Sequence, residues 1–159
     1  GVTIVVVKQD LISSRQPATP GLMDYRGQIA NNSMMNPPPV YPVWVLSLVL
    51  EWMESLGGVA AIEKINRHKA ESLYQAIDTS SLYRNPVPKD CRSLMNVPFV
   101  LADDTLESKF IEASQNAGLL NLKGHRSVGG MRASIYNAIT QDEVDVLIEF
   151  MREFERASA

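Results

Sequence analysis

The chain has 159 residues, of which 45% are hydrophobic, enough for a globular core. Its formal net charge of −3 argues against a polyanion such as nucleic acid as a partner for the chain as a whole. Cys91 is the single cysteine, which excludes an internal disulfide and fits a reducing compartment such as the cytoplasm. No stretch has the composition of a signal peptide or a membrane span, and no metal site is indicated.

The first forty residues combine one apolar run with two loop-like stretches. Residues 2–7 are continuous and β-branched, which predicts a strand buried on both faces of a parallel sheet. Residues 8–20 are polar and predict a loop with room for one helical turn, and the weakly periodic residues 24–35 predict a second loop. Residues 36–39 read Asn-Pro-Pro-Pro and predict an extended connector, because three prolines fix φ and remove three backbone donors.

Two helices are predicted next. Residues 43–56 are apolar almost all round and end at two glycines, which predicts a core helix. Such a helix either lies wholly inside its own core or also contacts a second subunit. Residues 59–79 form an amphipathic pattern with a charged face, and His68 on that face is predicted to be a surface residue.

The second half alternates short strands with helices. Strands are predicted at 82–84, 94–101, 119–122 and 133–136, with Pro98 confining its strand to an edge or a bulge. Two capping boxes, Asp104 to Glu107 and Thr140 to Glu143, predict the starts of two further helices. This alternation predicts a small α/β sandwich.

Residues 123–137 contain the strongest functional signal. Within ten residues they carry Lys123, His125, Arg126 and Arg132, three glycines and no acidic residue. Arginine offers a rigid fork to carboxylate or phosphate, and histidine can donate to the same group, so the pattern predicts an anion site. The alternative is a solvated basic loop that binds nothing.

These residues resemble the C-terminal signature of the phosphoserine aminotransferases, pyridoxal-phosphate enzymes of the aspartate-aminotransferase fold type. The resemblance continues through 92–99, through Leu-Glu-Trp at 50–52 with the glycines at 57 and 58, and through 150–154. It implies an α/β fold that is the C-terminal part of a longer enzyme. Residues 1–64 would then end the large cofactor-binding domain and its sheet, a long helix would join the two domains, and residues 65–159 would form the small domain.

The resemblance also implies a reaction and roles. The reaction is amino-group transfer between glutamate and 3-phosphohydroxypyruvate, giving 3-phosphoserine and 2-oxoglutarate. Arg132 matches the arginine that grips the substrate α-carboxylate. His125 and Arg126 match residues that meet the phosphate of phosphoserine or the side-chain carboxylate of glutamate. The alternatives are a structural ion pair for Arg132, and an orientation away from the site for His125 and Arg126.

The cofactor implied is pyridoxal 5′-phosphate, and the assembly implied is a homodimer. Asn36 matches a contact to the cofactor phosphate of the neighbouring subunit, but Pro37 stands where the family carries threonine. Lys123 does not match the family's Schiff-base lysine, which belongs before Gly1, so no catalytic residue is assigned and the piece alone is expected to be inactive. A non-catalytic fragment or a phosphometabolite-binding module remains the alternative. Nucleic acid is disfavoured because no aromatics alternate with the cations.

Overall fold

The computed structural model describes residues 1–12, 19–127 and 129–158. They form two compact units, Gly1–Ser55 and Leu56–Ala159. No single helix among the described residues is long and apolar enough to cross a membrane; only the helices at Val40–Ser55 and Gly58–Thr79, taken together, reach that length and composition. The predicted domain boundary between residues 64 and 65 concerns the complete protein and stays a prediction.

The first unit contains two helices, α1 at Tyr25–Ala30 and α2 at Val40–Ser55. Helix α1 begins where the Asp24 carboxylate accepts the backbone N–H of Arg26 at 3.1 Å. The prediction of a loop over 24–35 was therefore wrong, because a helix of six residues is too short to show an apolar period. Helix α2 starts three residues earlier than predicted, with Pro42 tolerated in its first turn.

Residues 2–7 do not form the predicted strand. A strand needs a hydrogen-bonded partner, and the described residues provide none for this segment. The side chains nevertheless alternate as in an extended chain, since Thr3, Val5 and Val7 line one cavity of about 340 Å³ together with residues of α1.

Helix α2 has no buried residue, although the sequence predicts a core helix. Trp44 is 54% exposed and Trp52 is 39% exposed. Apolar composition gives a helix a tendency to be buried, but a neighbouring element must supply the cover, and none in the described part of the first unit does. The predicted contact with a second subunit stays a prediction.

The second unit is the small α/β sandwich predicted from the sequence. Its further elements are α3 (Gly58–Thr79), β1 (Tyr83–Arg84), β2 (Asn96–Leu101), α4 (Glu107–Asn116), β3 (Met131–Ser134) and α5 (Gln141–Ser158). The strands form an antiparallel sheet in the order β1-β2-β3. One sheet face and the apolar sides of α3, α4 and α5 share a single core, which includes Leu73, Phe99, Phe110, Met131 and Val144.

The two predicted capping boxes have different outcomes. At α5 the box is confirmed, since Thr140 N–H donates to Glu143 Oε2 at 2.7 Å and Glu143 N–H donates to Thr140 Oγ1 at 3.3 Å. At α4 the box was placed one residue too late. The Asp103 carboxylate caps instead, accepting Thr105 N–H at 3.0 Å, because a 3₁₀ turn at Asp104–Leu106 precedes the α-helix.

Pro98 lies in the central strand, contrary to the prediction of an edge or a bulge. It pairs with Arg132 of β3, whose N–H points away from β2 to Leu122 O at 2.7 Å. The two residues are therefore a non-hydrogen-bonded pair, and the donor that proline lacks would point away from β3. On that side β1 has already ended, and the Asn85 side chain donates to Pro98 O at 2.6 Å.

The two strands predicted next to the basic residues 123–132 differ from the observed elements. The predicted strand at 119–122 is reduced to an isolated bridge between Lys123 and Met131. The strand predicted at 133–136 forms as β3, two residues earlier. His68 is exposed on α3, as predicted.

Candidate anion-binding site

Residues 122–132, the basic hairpin, carry the predicted site residues. Main-chain contacts close the hairpin. They are Arg132 N–H to Leu122 O at 2.7 Å, the Lys123–Met131 bridge, Gly124 N–H to Gly130 O at 2.8 Å, and Gly129 N–H to His125 O at 2.9 Å. His125 and Arg126 therefore lie at the tip, and Arg132 lies on the returning strand β3.

Two glycines are required by the packing of this hairpin. A Cβ on Gly130 would lie 2.8 Å from Val100 Cγ1 and 2.9 Å from Phe99 O, and the residue has φ of +63°. A Cβ on Gly124 would collide with the carbonyl oxygen of Gly129 across the hairpin. The glycines thus let the hairpin close tightly and approach β2.

The arginines of the basic hairpin lack acidic partners among the described residues, as does Arg84 on β1. Of the eight arginines among the described residues, five pair with carboxylates, namely Arg26, Arg67, Arg92, Arg152 and Arg156. Within the same residues Arg126 and Arg132 have no carboxylate partner, and both are exposed. The structural ion pair considered for Arg132 is therefore not formed in the described part of the chain.

His125 is held by Ser127, a residue that the sequence analysis did not single out. Its Nδ1 accepts the backbone N–H of Ser127 at 3.3 Å and lies 2.6 Å from Ser127 Oγ. The other ring nitrogen, Nε2, has no hydrogen-bond partner among the residues that the structure describes, so it is available to a ligand. A serine two positions after a histidine in a tight turn was the only signal in the sequence.

Lys123 lies apart from the arginines. Its side chain lines a shallow cleft beside α4, which Glu107 and Glu112 also line. Lys123 shares this cleft with two acidic residues of α4, so its surroundings differ from those of the arginines.

The sheet surface around Arg132 carries polar side chains and a second arginine. Ser134 Oγ donates to Asn96 Oδ1 at 3.1 Å, and Asn96 Nδ2 donates to Tyr136 Oη at 2.8 Å. Arg84 on β1 pairs with Val100, two residues along β2 from Pro98, and so shares this face. Arg84 is exposed and also has no carboxylate partner among the described residues.

A buried lysine supports β3 from the core side. Lys69 Nζ donates to three carbonyls just after β3, those of Ile135 at 3.1 Å, Tyr136 at 2.9 Å and Ile139 at 2.7 Å. Burial lowers the pKa of Lys69, and the nearby Glu143 carboxylate opposes that shift. Because all three acceptors follow Arg132 within seven residues, Lys69 fixes the segment that leads away from the site.

Asn36 lies in the first unit, in the exposed segment before α2. Its amide can donate to a phosphate, whereas Pro37 and the two prolines after it have no N–H. This donor set fits one contact to a cofactor phosphate and supplies no cation or covalent anchor. Among the described residues, no group of three or more His, Cys, Asp or Glu side chains could hold a metal ion.

Comparison with known proteins decides the family. The sequence profile of the family described as "Aminotransferase class-V" matches residues 1–147. The chain belongs to the class-V aminotransferases. It is 48% identical over 159 residues to the phosphoserine aminotransferase of Hahella chejuensis, and 50% identical over 155 residues to that of a Marinomonas species. These alignments cover 100% and 98% of this chain, but only 44% and 43% of the two relatives.

Solved structures of the same kind of enzyme share the fold. The phosphoserine aminotransferase from Bacillus circulans subsp. alkalophilus superposes with a TM-score of 0.90 at 42% identity, covering 96% of this chain and 43% of that one. The pyridoxal-phosphate-bound enzyme from Trichomonas vaginalis gives a TM-score of 0.79 at 39% identity, covering 86% and 39%. The resemblance stated from the sequence motifs is confirmed, and the chain spans less than half the length of these relatives.

Proposed function

We propose that this chain is the C-terminal, substrate-binding part of a pyridoxal-phosphate-dependent phosphoserine aminotransferase. The complete enzyme exchanges the amino group between glutamate and 3-phosphohydroxypyruvate. The observation that carries the proposal is the basic hairpin. On it lie two exposed arginines and the Nε2 of a histidine, none of which has a protein partner within the described ranges 1–12, 19–127 and 129–158. All substrates of this reaction are anionic, so unpaired cations are what the site requires.

The two parts of the hairpin suit different parts of the substrate. The α-carboxylate is common to every substrate, and Arg132 on β3 would hold it in a bidentate contact that orients the Cα–H bond. The distal group varies between phosphate and carboxylate, and Arg126 and His125 at the tip would meet it. A residue in a paired strand gives a fixed contact, whereas a tip can adjust to two groups of different size.

The cofactor of the complete enzyme is pyridoxal 5′-phosphate, which when bound supplies an electron sink at the substrate Cα. This chain would contribute Asn36 to its phosphate, while Pro37 offers no donor there. By family position the Schiff-base lysine precedes Gly1. Incubation of this chain with the cofactor, followed by borohydride reduction, should therefore give only scattered labelling. Stoichiometric labelling of Lys123 would contradict this assignment.

The complete enzyme would be a cytoplasmic homodimer. The exposed apolar residues of α2, including Trp44 and Trp52, support a further protein surface against this helix. Light scattering coupled to size-exclusion chromatography would measure the assembly, and a monomeric complete enzyme would contradict the proposal.

The roles in the hairpin are tested by half-reactions of the complete enzyme with each amino acid. Arg132→Ala should lower kcat/KM for glutamate and phosphoserine alike, because the α-carboxylate is left unpaired. The corresponding loss of transition-state stabilisation should be ~2–5 kcal/mol. Arg132→Lys should recover only part, since an ammonium lacks the planar fork. Arg126→Ala should weaken the binding of phosphoserine more than the binding of glutamate. Inorganic phosphate should inhibit that variant less than it inhibits the parent enzyme.

Arg84→Ala is the matched control, because Arg84 is also an exposed arginine without a carboxylate partner in the described residues and lies on the same sheet. It should change neither half-reaction. The roles assigned to Arg126 and Arg132 are wrong if Arg126→Ala lowers kcat/KM equally for both substrates while Arg132→Ala leaves kcat/KM for one of them unchanged. If the complete enzyme transfers no amino group from either substrate, the alternative of a phosphometabolite-binding module is favoured.

A further inference from the structure

The tip of the basic hairpin fixes which histidine nitrogen faces a ligand. A backbone N–H can only donate a hydrogen bond, so the contact of Ser127 N–H with His125 Nδ1 at 3.3 Å requires Nδ1 to be an acceptor. A neutral imidazole carries its single proton on the other nitrogen in that case. Ser127 Oγ, at 2.6 Å from the same Nδ1, can donate its hydroxyl proton to it as well.

We propose that Ser127 is a positioning residue that holds His125 in the tautomer with its proton on Nε2, so that Nε2–H is the hydrogen-bond donor to the distal anionic group of the substrate. The inference rests on the proposed function for the identity of that group. The tautomer itself rests only on the contacts between these two residues.

The main-chain frame of the tip makes this arrangement stable. Gly129 N–H donates to His125 O at 2.9 Å, which closes the turn that contains both residues. The His125 backbone is therefore fixed from one side while its ring is fixed from the other. An imidazole with Nδ1–H in this orientation would place a hydrogen against the backbone N–H of Ser127, so the ring would have to rotate away and this contact would be lost.

This tautomer gives the tip a specific chemistry. A phosphate or carboxylate oxygen only accepts hydrogen bonds, so it needs a donor, and the opposite tautomer would present the lone pair of Nε2 to it. Arg126 supplies charge at the same tip, and His125 adds one directed donor. Ser127 acts through His125 and need not contact the substrate.

The first arm of the test is structural and is independent of activity. Solid-state nitrogen-15 NMR of the histidine-labelled complete holoenzyme distinguishes protonated from unprotonated ring nitrogens, and the His125 signals are assigned by their loss in His125→Gln. We expect a protonated Nε2 and an unprotonated Nδ1 in the parent. A protonated Nδ1 and a bare Nε2 would overturn the proposal.

The second arm measures binding. Ser127→Ala should raise KM for phosphoserine and the inhibition constant of inorganic phosphate by about three- to tenfold, the range for one lost hydrogen bond, with kcat retained and a smaller change for glutamate. Ser127→Thr keeps the hydroxyl and should restore parent values. Ser108→Ala, an exposed serine on α4, is the control and should change nothing.

The outcomes separate this inference from the proposed function. Equal effects of Ser127→Ala and Ser127→Thr would overturn the role of the hydroxyl, even if the enzyme transfers amino groups as proposed. Ser127→Ala keeps the backbone N–H and loses only the hydroxyl, so a larger share of the Nδ1-protonated tautomer in Ser127→Ala than in Ser127→Thr would support that role, even if the substrate proves to be another phosphorylated acid.

Discussion

Replacement of Lys69 by methionine tests how the fold supports the strand that carries Arg132. Lys69 is fully buried, and its ammonium group donates to the carbonyls of Ile135, Tyr136 and Ile139. Methionine keeps most of the volume of the lysine stem, so the change removes the donor without opening a large cavity. The expected loss therefore contains no large cavity cost.

Its magnitude follows from the burial of the three acceptors. Ile135 O is buried at this contact, whereas the contacts to Tyr136 O and Ile139 O are partly buried, so water can partly replace the donor there. An unsatisfied buried acceptor costs ~1–3 kcal/mol, and the partly buried carbonyls of Tyr136 and Ile139 should cost an amount near the lower bound. Against this stands the relief of no longer burying an ammonium group. The free energy of unfolding of the second unit should fall by about 2–4 kcal/mol.

The readout must report on the second unit, and tryptophan fluorescence does not, because Trp44 and Trp52 both lie in α2. Hydrogen–deuterium exchange of peptides that cover residues 131–140, together with urea unfolding followed by circular dichroism, gives a local and a global measure. Lys64→Met on the same helix is the matched control, since Lys64 is exposed. A loss in Lys69→Met that is no larger than the loss in Lys64→Met would refute the reasoning.

Three further predictions concern other parts of the chain. In the complete enzyme, Pro37→Thr should tighten cofactor binding by up to ~1.5–3 kcal/mol through a new bond to a charged phosphate; an unchanged cofactor dissociation constant would count against it. Gly130→Ala should destabilise more than Gly118→Ala in urea unfolding, because both have positive φ (+63° and +81°) but only at Gly130 would the Cβ meet other atoms; equal losses would contradict this. Burial favours a raised pKa for Glu155, but hydrogen bonds from the turn after α3 outweigh it and hold the pKa below its usual value. Its contribution to stability should therefore be complete above about pH 4.3 and disappear as the pH falls through the lower folded value, so the difference between parent and Glu155→Gln should vanish in acid; a difference independent of pH would contradict it.

The elements predicted best are those whose signals are local. The capping box from Thr140 to Glu143 is a pair of contacts within four residues, and both hydrogen bonds form. The apolar stripe of α5 is likewise buried, because a long periodic helix needs only one core to pack against. The tight closure of the basic hairpin was indicated by its three glycines.

The elements predicted poorly depend on partners that the sequence pattern does not name. Residues 2–7 have strand composition, but pairing requires a second strand. Pro98 was assigned to an edge because a proline removes a donor, yet in the central strand that donor would have pointed to the side where β1 has ended. Ser127 was missed because its contact with His125 depends on the turn geometry rather than on residue type.

Backbone groups close the basic hairpin, whereas exposed side chains at its tip and on β3 form its candidate binding surface. The described contacts that close it join backbone groups, so the exposed tip residue Arg126 can be exchanged while this closure is kept. Arg132 is less free, because it is registered against Pro98 in the sheet. Substitution of the tip arginine should thus change which distal group the hairpin accepts, while the proposed contact of Arg132 with the α-carboxylate is kept.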